Sequence, residues 1–390
     1  HYLEVYFKIS CEEFMKLFKS LLVAPATLGL LAPMSATANE VTINDFNPAE
    51  ELAITNSRVD GLEARLNNFE AGSFSETTTA SFSTDFYLGA LDTDDSADND
   101  SVMAAYSFQI DLNTSFTGED SLDISLDAGT GGTEGIAEFD GNGGGDGLTV
   151  DGVSYTFPVG DKTTVIAGID TDGSALFTTA CVYGGPGNLL DDCANVNAGI
   201  TGGGATVGAA YDFENGLTAA FGAQTTEASV FTEESGDAYA LNAAYTADKY
   251  AISLTYGVVE ADNGADPAVL TDEEDKFTAV NAYYTPEGDG LPSISVGYEF
   301  GDIGGAAAGV DEQASFMVGL TWDEVGPGSA GVALGHSNTN ENADELYQYE
   351  AYYEYPVNDS MTITPLVYTL DAAGNVDDTT GMMVKTTFAF

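Results

Sequence analysis

Residues 106–113 read Tyr106-Ser107-Phe108-Gln109-Ile110-Asp111-Leu112-Asn113, with apolar and polar side chains in alternation. Because successive side chains of a β-strand point to opposite faces, this stretch predicts a strand with one apolar face and one polar face. The same period of two recurs at residues 122–127, 294–300 and 347–355. From Ser75 onward we therefore expect an all-β chain.

The connections between these strands fall into two sets. Short turns are signalled near residues 118, 160, 215, 248, 287, 326 and 358. Longer, acidic and glycine-rich stretches lie between them, at about 92–101, 130–147, 172–203, 228–236, 260–275, 301–312, 338–345 and 371–379. Short turns alternate with long loops, so that seven turns and eight loops join sixteen strands. Transmembrane barrels have this asymmetry of loop length, and sixteen strands leave an aqueous channel.

The pattern predicts a transmembrane, antiparallel up-and-down β-barrel of about 16 strands over residues 74–390. No stretch after residue 38 is long and apolar enough for a membrane helix, so a membrane-embedded chain would have to close into a barrel. A soluble or surface β-sandwich adhesin is the alternative. It shares the alternation and the acidity, but a sandwich has no reason to sort its loops by length.

Both ends of the chain carry signals of export and assembly. Residues 15–38 combine a basic start, an apolar run of eleven residues and a small-residue site, which is the order of a secretory signal peptide. A buried N-terminal helix is the alternative interpretation. We take residues 1–14 as upstream sequence outside the exported chain. Residues 382–390 form an alternating strand that ends in Phe390, similar to the assembly signal of outer-membrane barrels.

The segment 39–73 has a different period. Asn47 before Pro48 suits the start of a helix. The side chains that follow recur at alternating spacings of three and four, the a and d pattern of a coiled coil: Leu52, Thr55, Val59, Leu62, Leu66 and Phe69. We expect a short periplasmic helix, either in a trimeric coiled coil below the barrel or packed on the underside of the barrel.

The charge balance is strongly acidic. The 390 residues carry 63 acidic and nine basic side chains, for a net charge of −54, and removal of residues 1–38 leaves that charge unchanged. Nucleic acid is excluded as a partner, because no basic patch could neutralise its phosphates. Self-repulsion of this size also argues against a compact soluble core.

Four segments carry a resemblance to known proteins. The first reads Met15-Lys16-Leu17-Phe18, followed by Leu22-Val23-Ala24-Pro25-Ala26 and Leu28-Gly29-Leu30-Leu31-Ala32-Pro33. The others read Ser57-Arg58-Val59-Asp60-Gly61-Leu62-Glu63-Ala64-Arg65-Leu66, Phe69-Glu70-Ala71-Gly72-Ser73-Phe74-Ser75-Glu76-Thr77-Thr78 and Tyr155-Thr156-Phe157-Pro158-Val159-Gly160. They resemble the outer-membrane porins of marine cyanobacteria, the Som type, which are related to carbohydrate-selective porins of the OprB type. The resemblance is specific up to about residue 160 and general beyond it.

The resemblance implies a homotrimeric barrel in the outer membrane of a Gram-negative-type bacterium, passing small solutes and ions by passive diffusion. Relatives usually carry a surface-layer-homology domain between leader and coiled coil, but only about a dozen residues fit that gap here. We therefore expect this domain to be lacking. The alternative function is a carbohydrate-selective channel, in which lumenal aromatic residues work with arginines. No arginine follows residue 75, although lumenal tyrosines such as Tyr352 are available.

The alternation also places charged side chains in the lumen. After residue 75 the basic residues are Lys162, Lys249, Lys276 and Lys385, and Lys385 alone lies in the middle of a strand. A lumen lined by carboxylates attracts cations, which predicts a weak cation preference. In the alternative, most acidic residues solvate the outer loops and loosely hold divalent cations there. The pore-lining candidates are Asp111, Asp123, Asp127, Glu299, Glu350, Glu354 and Lys385.

The longest loop, about 172–203, contains Cys181 and Cys193 and the acidic pair Asp191 and Asp192. Two cysteines in an exported chain favour a disulfide, with two free thiols as the alternative. The resemblance implies that this third long loop folds inward and narrows the channel, which makes Asp191 and Asp192 candidates for the constriction. The other possibility is a loop that faces outward.

Neither an enzyme nor a dedicated metal site is indicated. His336 is the only histidine after residue 38 and has no recognisable nucleophile as a partner, so we expect no catalytic residues. The acidic stretches 92–100 and 140–147 suggest calcium ligands, but they lack the framework of an EF-hand and the repeats of a β-roll. We expect no cofactor.

Overall fold

The computed structural model describes most of the chain from Thr78 onward. The chain divides into two compact units, His1–Ala71 and Gly72–Phe390. The first unit lies outside the described residues. The expected signal peptide (15–38) and helix (39–73) therefore fall outside this description. No helix in the described part is long and apolar enough to span a membrane. The described residues are 78–92, 102–131, 141–142, 145–188, 190–226, 230, 236–262, 270–288, 290–304, 306–307, 309–374 and 378–390.

Sixteen antiparallel strands form a closed barrel. Each strand pairs with the next along the chain, and the last pairs with the first, from Ser83 opposite Ala389 to Asp92 opposite Thr380. The predicted up-and-down barrel is therefore confirmed. The strands are β1 (Thr78–Asp92), β2 (Met103–Thr114), β3 (Ser121–Gly129), β4 (Gly145–Val159), β5 (Thr163–Ile169), β6 (Ala205–Asp212), β7 (Leu217–Thr225), β8 (Asp237–Thr246), β9 (Tyr250–Asp262), β10 (Leu270–Tyr284), β11 (Ser293–Asp302), β12 (Glu312–Val325), β13 (Gly328–Asn340), β14 (Gln348–Asn358), β15 (Met361–Leu370) and β16 (Thr379–Ala389).

The connections alternate between the two ends of the barrel. Those at the short-turn end span residues 115–120, 160–162, 213–216, 247–249, 285–292, 326–327 and 359–360. Those at the long-loop end span residues 93–102, 130–144, 170–204, 226–236, 263–269, 303–311, 341–347 and 371–378. All seven turns and eight loops predicted from the sequence lie between strands, because Gly, Pro, Asn and Asp interrupt the alternation where the strands end. The loop predicted at 260–275 is shorter than expected, since β9 continues to Asp262 and β10 begins at Leu270.

The strands have an apolar outward face and an inward face of small and polar residues. On β8, Leu241 and Tyr245 point outward and are exposed, whereas Ala240, Asn242 and Ala244 point inward and are buried. Exposed large apolar side chains continue on the outward faces of the neighbouring strands, as with Ile252, Leu254 and Tyr256 on β9. This reverses the arrangement of a soluble protein and is typical of a barrel whose exterior contacts lipid.

Aromatic rings gather at both ends of the outward face. At the short-turn end they pair as Tyr211 with Phe213 and Tyr245 with Tyr250, with ring centroids 4.7 and 6.1 Å apart. At the long-loop end, Tyr298 pairs with Phe300 at 6.1 Å. Two aromatic girdles separated by an apolar band mark the membrane–water interfaces of transmembrane barrels.

Asp120 organises the first short turn. One of its carboxylate oxygens accepts hydrogen bonds from the backbone N–H groups of Phe116 at 2.9 Å and Thr117 at 2.7 Å. The other accepts a hydrogen bond from the Tyr155 hydroxyl at 2.6 Å. These donors, the tyrosine first among them, hold the pKa of Asp120 far below its ordinary value.

Candidate permeation pathway

The longest loop, residues 170–204, runs through the inside of the barrel along its wall. Its backbone N–H groups donate to inward-facing side chains of four strands in turn. Gly173 donates to Gln224 of β7 at 2.9 Å, and Thr178 donates to Asn242 of β8 at 3.0 Å. Ala180 donates to Ser253 of β9 at 2.9 Å, and Val182 donates to Ser295 of β11 at 3.0 Å. The first half of the loop is thus attached to the wall at four points.

Glycines on the wall allow the loop backbone to approach. A Cβ atom at Gly222 of β7 would overlap the carbonyl oxygen of Gly173, and one at Gly297 of β11 would overlap that of Cys193. At Gly257 of β9 a Cβ would lie too close to the backbone of the loop at Ala198. In a strand interior glycine often marks such a close approach of another backbone.

Glu299 of β11 holds the second half of the loop. Its carboxylate accepts hydrogen bonds from the backbone N–H groups of Asn197 at 2.9 Å and Ala198 at 2.7 Å, and from the Asn197 side-chain amide at 2.8 Å. Nearby, the side-chain amide of Asn281 donates to the carbonyl of Cys193 at 2.7 Å. Glu299 is only 1% exposed. It acts as a clamp on the loop and has no contact with open water.

Tyr183 anchors the middle of the loop between β11 and β14, and its backbone N–H donates to Ser295 of β11 at 3.1 Å. Its hydroxyl donates a hydrogen bond to Glu350 of β14, and its ring packs edge-on against Tyr352 with centroids 6.0 Å apart. Around this contact the loop and the inward faces of the strands form an apolar cluster inside the barrel. Its buried members are Tyr87, Tyr183, Leu190, Cys193, Ala194, Met317, Ala333, Tyr352, Leu366, Tyr368 and Met383.

A disulfide joins Cys181 and Cys193 within the loop. It closes the segment that carries Asp191 and Asp192, which are both exposed, whereas Cys193 is buried. The two carboxylates therefore lie on the solvated side of an otherwise packed loop, where dissolved ions can reach them.

Three of the predicted pore-lining carboxylates lie on the inward faces of β2 and β3. Asp111 accepts hydrogen bonds from Gln109 and Ser125, each at 2.8 Å. Asp123 accepts from Asn113 at 2.6 Å and Ser121 at 2.7 Å, and Asp127 accepts from Thr149 at 2.9 Å. All these donors are neutral and come from the wall, so within the described residues no protein cation compensates the three charges.

Three of the four lysines of the barrel form ion pairs with glutamates away from these aspartates. Lys162 pairs with Glu214 at 2.6 Å and Lys249 pairs with Glu287, and both pairs join neighbouring turns at the short-turn end. Lys276 pairs with Glu274 at 3.2 Å near the long-loop end. Lys385 lies mid-strand on β16, opposite Tyr87 and Thr364, and within the described part of the chain it makes no ion pair.

Two of the carboxylates predicted to line the pore require a correction. Glu299 and Glu350 are on inward-facing positions, but they are 1% and 4% exposed because the loop 170–204 covers them. They hold the loop and do not line open water. Glu354, on the same face of β14, is exposed.

Sequence reasoning missed the wall residues that accept the loop. Gln224, Asn242, Ser253 and Ser295 are short or uncharged side chains on the inward faces of β7–β11, where β2 and β3 carry aspartates instead. This change from carboxylates to neutral polar groups, together with inward glycines, is the sequence signal that could have located the covered wall. No group of three or more potential metal ligands occurs among the described residues.

Comparison with known proteins gives the class of fold. No family model matches the sequence. An uncharacterised protein of Nostoc sp., alr4550, is 25% identical over 433 residues, which covers 95% of this chain and 75% of that protein. Among solved structures, OprB of Pseudomonas putida has a TM-score of 0.54 at 13% identity, over 80% of this chain and 94% of OprB.

Two further structures agree. A variant of the Rh. blastica porin has a TM-score of 0.53 at 11% identity, over 80% of this chain and 100% of the porin. The trimer form of OmpT, an outer membrane protein of Vibrio cholerae, has a TM-score of 0.54 at 11% identity, over 81% and 100% of the two chains. At these identities the likeness establishes the fold, and this chain has the fold of a porin-type β-barrel.

Proposed function

We propose that this protein forms a water-filled channel in an outer membrane, through which small hydrophilic solutes and ions diffuse passively with a preference for cations. One observation carries the proposal: inside the barrel, carboxylates lie both on the wall and on the exposed side of the loop. Asp111, Asp123 and Asp127 lie on the wall, and Asp191 and Asp192 lie on the loop. No enzymatic activity is proposed.

The expected preference is weak. Two unit charges 4 Å apart interact by about 1 kcal/mol in bulk water, and a Debye length of about 10 Å at 0.1 M salt screens more distant pairs. A hydrated lumen therefore concentrates cations only several-fold, and Lys385 offsets part of the effect. Because screening increases with salt, the preference should decline as the ionic strength rises.

The loop carboxylates provide the test of this proposal. Asp191→Asn combined with Asp192→Asn removes two exposed charges and leaves unchanged the loop donors Gly173, Thr178, Ala180 and Val182 and their acceptors on the wall. In planar bilayers under a salt gradient, we expect the zero-current potential to move toward zero by roughly half, because two of the five carboxylates are removed while Lys385 remains. The matched control is Asp161→Asn, at an exposed short turn outside the lumen, which should leave the potential unchanged. An unchanged potential in the double variant would place the selectivity elsewhere.

A carbohydrate-selective channel is the alternative function, and the tyrosines bear on it. Sugar rings need exposed aromatic faces, but Tyr87, Tyr183, Tyr352 and Tyr368 are buried in the apolar cluster. These rings are therefore packed against other side chains and do not present a sugar-binding surface. This favours general diffusion, and a sugar-selective channel would instead show current block by maltose at low concentration.

We also propose that the protein assembles as a homotrimer surrounded by outer-membrane lipid. The similar OmpT structure is described as a trimer form, and the two aromatic girdles suit a barrel set in a bilayer. Unheated protein should migrate as an oligomer on SDS gels and shift to a monomer after boiling. Migration as a monomer before boiling would contradict the assembly.

A further inference from the structure

A groove of about 670 Å³ lies on the outer surface of the barrel, at the long-loop end. It spans strands β9 to β13 and is bounded by the loops 303–311 and 341–347. Its floor is aromatic: Tyr256, Tyr298 and Phe300 line it and are outward-facing, exposed side chains. The groove therefore lies where the apolar band of the barrel meets its acidic loops.

The rim of this groove is strongly acidic. Five carboxylates are among its lining residues. The lining also includes one lysine, Lys276, which is already paired with Glu274. A phosphate or carboxylate headgroup would be repelled, since like charges at close range are unfavourable. Carboxylates act as hydrogen-bond acceptors only, so they suit a ligand rich in hydroxyl donors. The five are Asp302, Asp311, Glu312, Glu341 and Glu345.

His336 supplies a polar group at the floor. It is 6% exposed, and its ring lies between Phe316 at 6.3 Å and Tyr347 at 5.6 Å. Its Nδ1 atom shares a hydrogen bond with the Thr339 hydroxyl at 3.0 Å. Within the described residues its Nε2 atom has no hydrogen-bond partner. His336 lines the groove, and Nε2 is not one of the buried atoms that lack a partner in the described part of the chain, so this ring nitrogen is open to a ligand group in the groove.

We infer that the groove binds the uncharged sugar headgroup of a glycolipid in the outer leaflet, an inference that rests on the outer-membrane location proposed above. The aromatic floor suits the apolar faces of a sugar ring. The acidic acceptors and the ring nitrogen of His336 suit its hydroxyl groups. Toward the middle of the barrel the outward face continues with Leu254, Val280 and Val296, which offer apolar surface to acyl chains. Binding sites of this kind combine apolar walls with a few placed polar groups.

The test is retention of lipid by the full-length protein in a zwitterionic detergent, measured by native mass spectrometry. Digalactosyl diacylglycerol is offered against phosphatidylglycerol, with and without calcium. We expect the galactolipid to be retained at least about fivefold better, and His336→Ala to remove that preference, as expected for loss of a hydrogen-bonding group. Tyr298→Leu, which keeps an apolar floor, should weaken retention as well.

Two controls make the outcome decisive. Tyr245→Leu alters an outward tyrosine of the other girdle and should retain the galactolipid as the wild type does. Glu345→Gln changes an exposed loop residue and tests the rim even if a floor variant fails to fold. Four outcomes would each overturn the inference. The protein could retain both lipids equally, or retain phosphatidylglycerol only with calcium. A second copy of the chain could occupy the groove, or the preference for the galactolipid could survive all groove variants. Bilayer conductance, measured in parallel, reports the channel function independently.

Discussion

Glu299→Gln tests whether the loop 170–204 is held in place by a buried carboxylate. The carboxylate accepts hydrogen bonds from two backbone N–H groups and one side-chain amide, at 2.7–2.9 Å. Glutamine keeps a single acceptor oxygen and turns an NH₂ group toward these donors. The substitution should therefore release the segment around Asn197 and Ala198.

The magnitude follows from the bonds that are lost. Hydrogen bonds to a charged group contribute about 1.5–3 kcal/mol each, and about two would be lost. Part of this is offset, because the variant no longer buries a charge. A weakening of the clamp by about 2–4 kcal/mol remains, which raises the detached population by about 30- to 1,000-fold. The other attachments, at Ser253 and Ser295, should keep the first half of the loop on the wall.

Single-channel recording in planar bilayers measures the effect. Glu299→Gln should show added open-channel noise and at least one further conductance level. The matched control is Glu354→Gln, which removes a lumen-facing, exposed carboxylate that makes no hydrogen bond to the loop among the described residues. The control should show the same open-channel noise and conductance levels as the wild type. A Glu299→Gln channel as quiet as the wild type would refute the clamp.

Three further predictions concern the loop, a turn and the lumen. Gly297→Ala should displace the loop near Cys193 and add conductance levels, whereas Gly147→Ala, with open space around it, should have no effect in the same recordings. The pKa of Asp120 is lowered in the folded state, so its contribution to stability is present above the unfolded value of about 3.9 and is lost as the pH falls through the lower folded value. Asp120→Asn should thus flatten the acid side of the stability profile, measured by urea unfolding between neutral pH and pH ~2; an unchanged profile would contradict the assignment. Lys385→Gln should raise cation preference by about twofold in reversal-potential measurements, as expected for one screened charge, and a fall would place this lysine outside the lumen.

The barrel was predictable because its signals are local. Alternation with a period of two, as in residues 106–113, identifies a strand and its faces without knowledge of its neighbours. The turn residues then identify where each strand ends. Up-and-down topology follows from chain order alone, since every strand pairs with the next one. The pairing of β16 with β1 is the one strand pairing between elements distant in sequence. The predicted number of strands implied this closure.

The lumen was less predictable because the path of the loop is a tertiary property. Alternation correctly placed Glu299 and Glu350 on inward faces, but it could not show that the loop covers them. The inward course of a 35-residue connection depends on many separate contacts, such as the fit of Gly297 beneath Cys193. No periodicity in the loop itself reports those contacts. The groove around His336 was missed for the same reason, because strands β9 to β13 and two loops combine to form it.

The zero-current potential of the wild-type protein in a planar bilayer, under a tenfold gradient of potassium chloride, measures the proposed function most directly. Discrete conductance steps should appear, with a potential whose sign marks faster potassium than chloride flow and whose size falls as both concentrations are raised. A chloride-directed potential would contradict the cation preference, and a membrane that stays silent would contradict the channel.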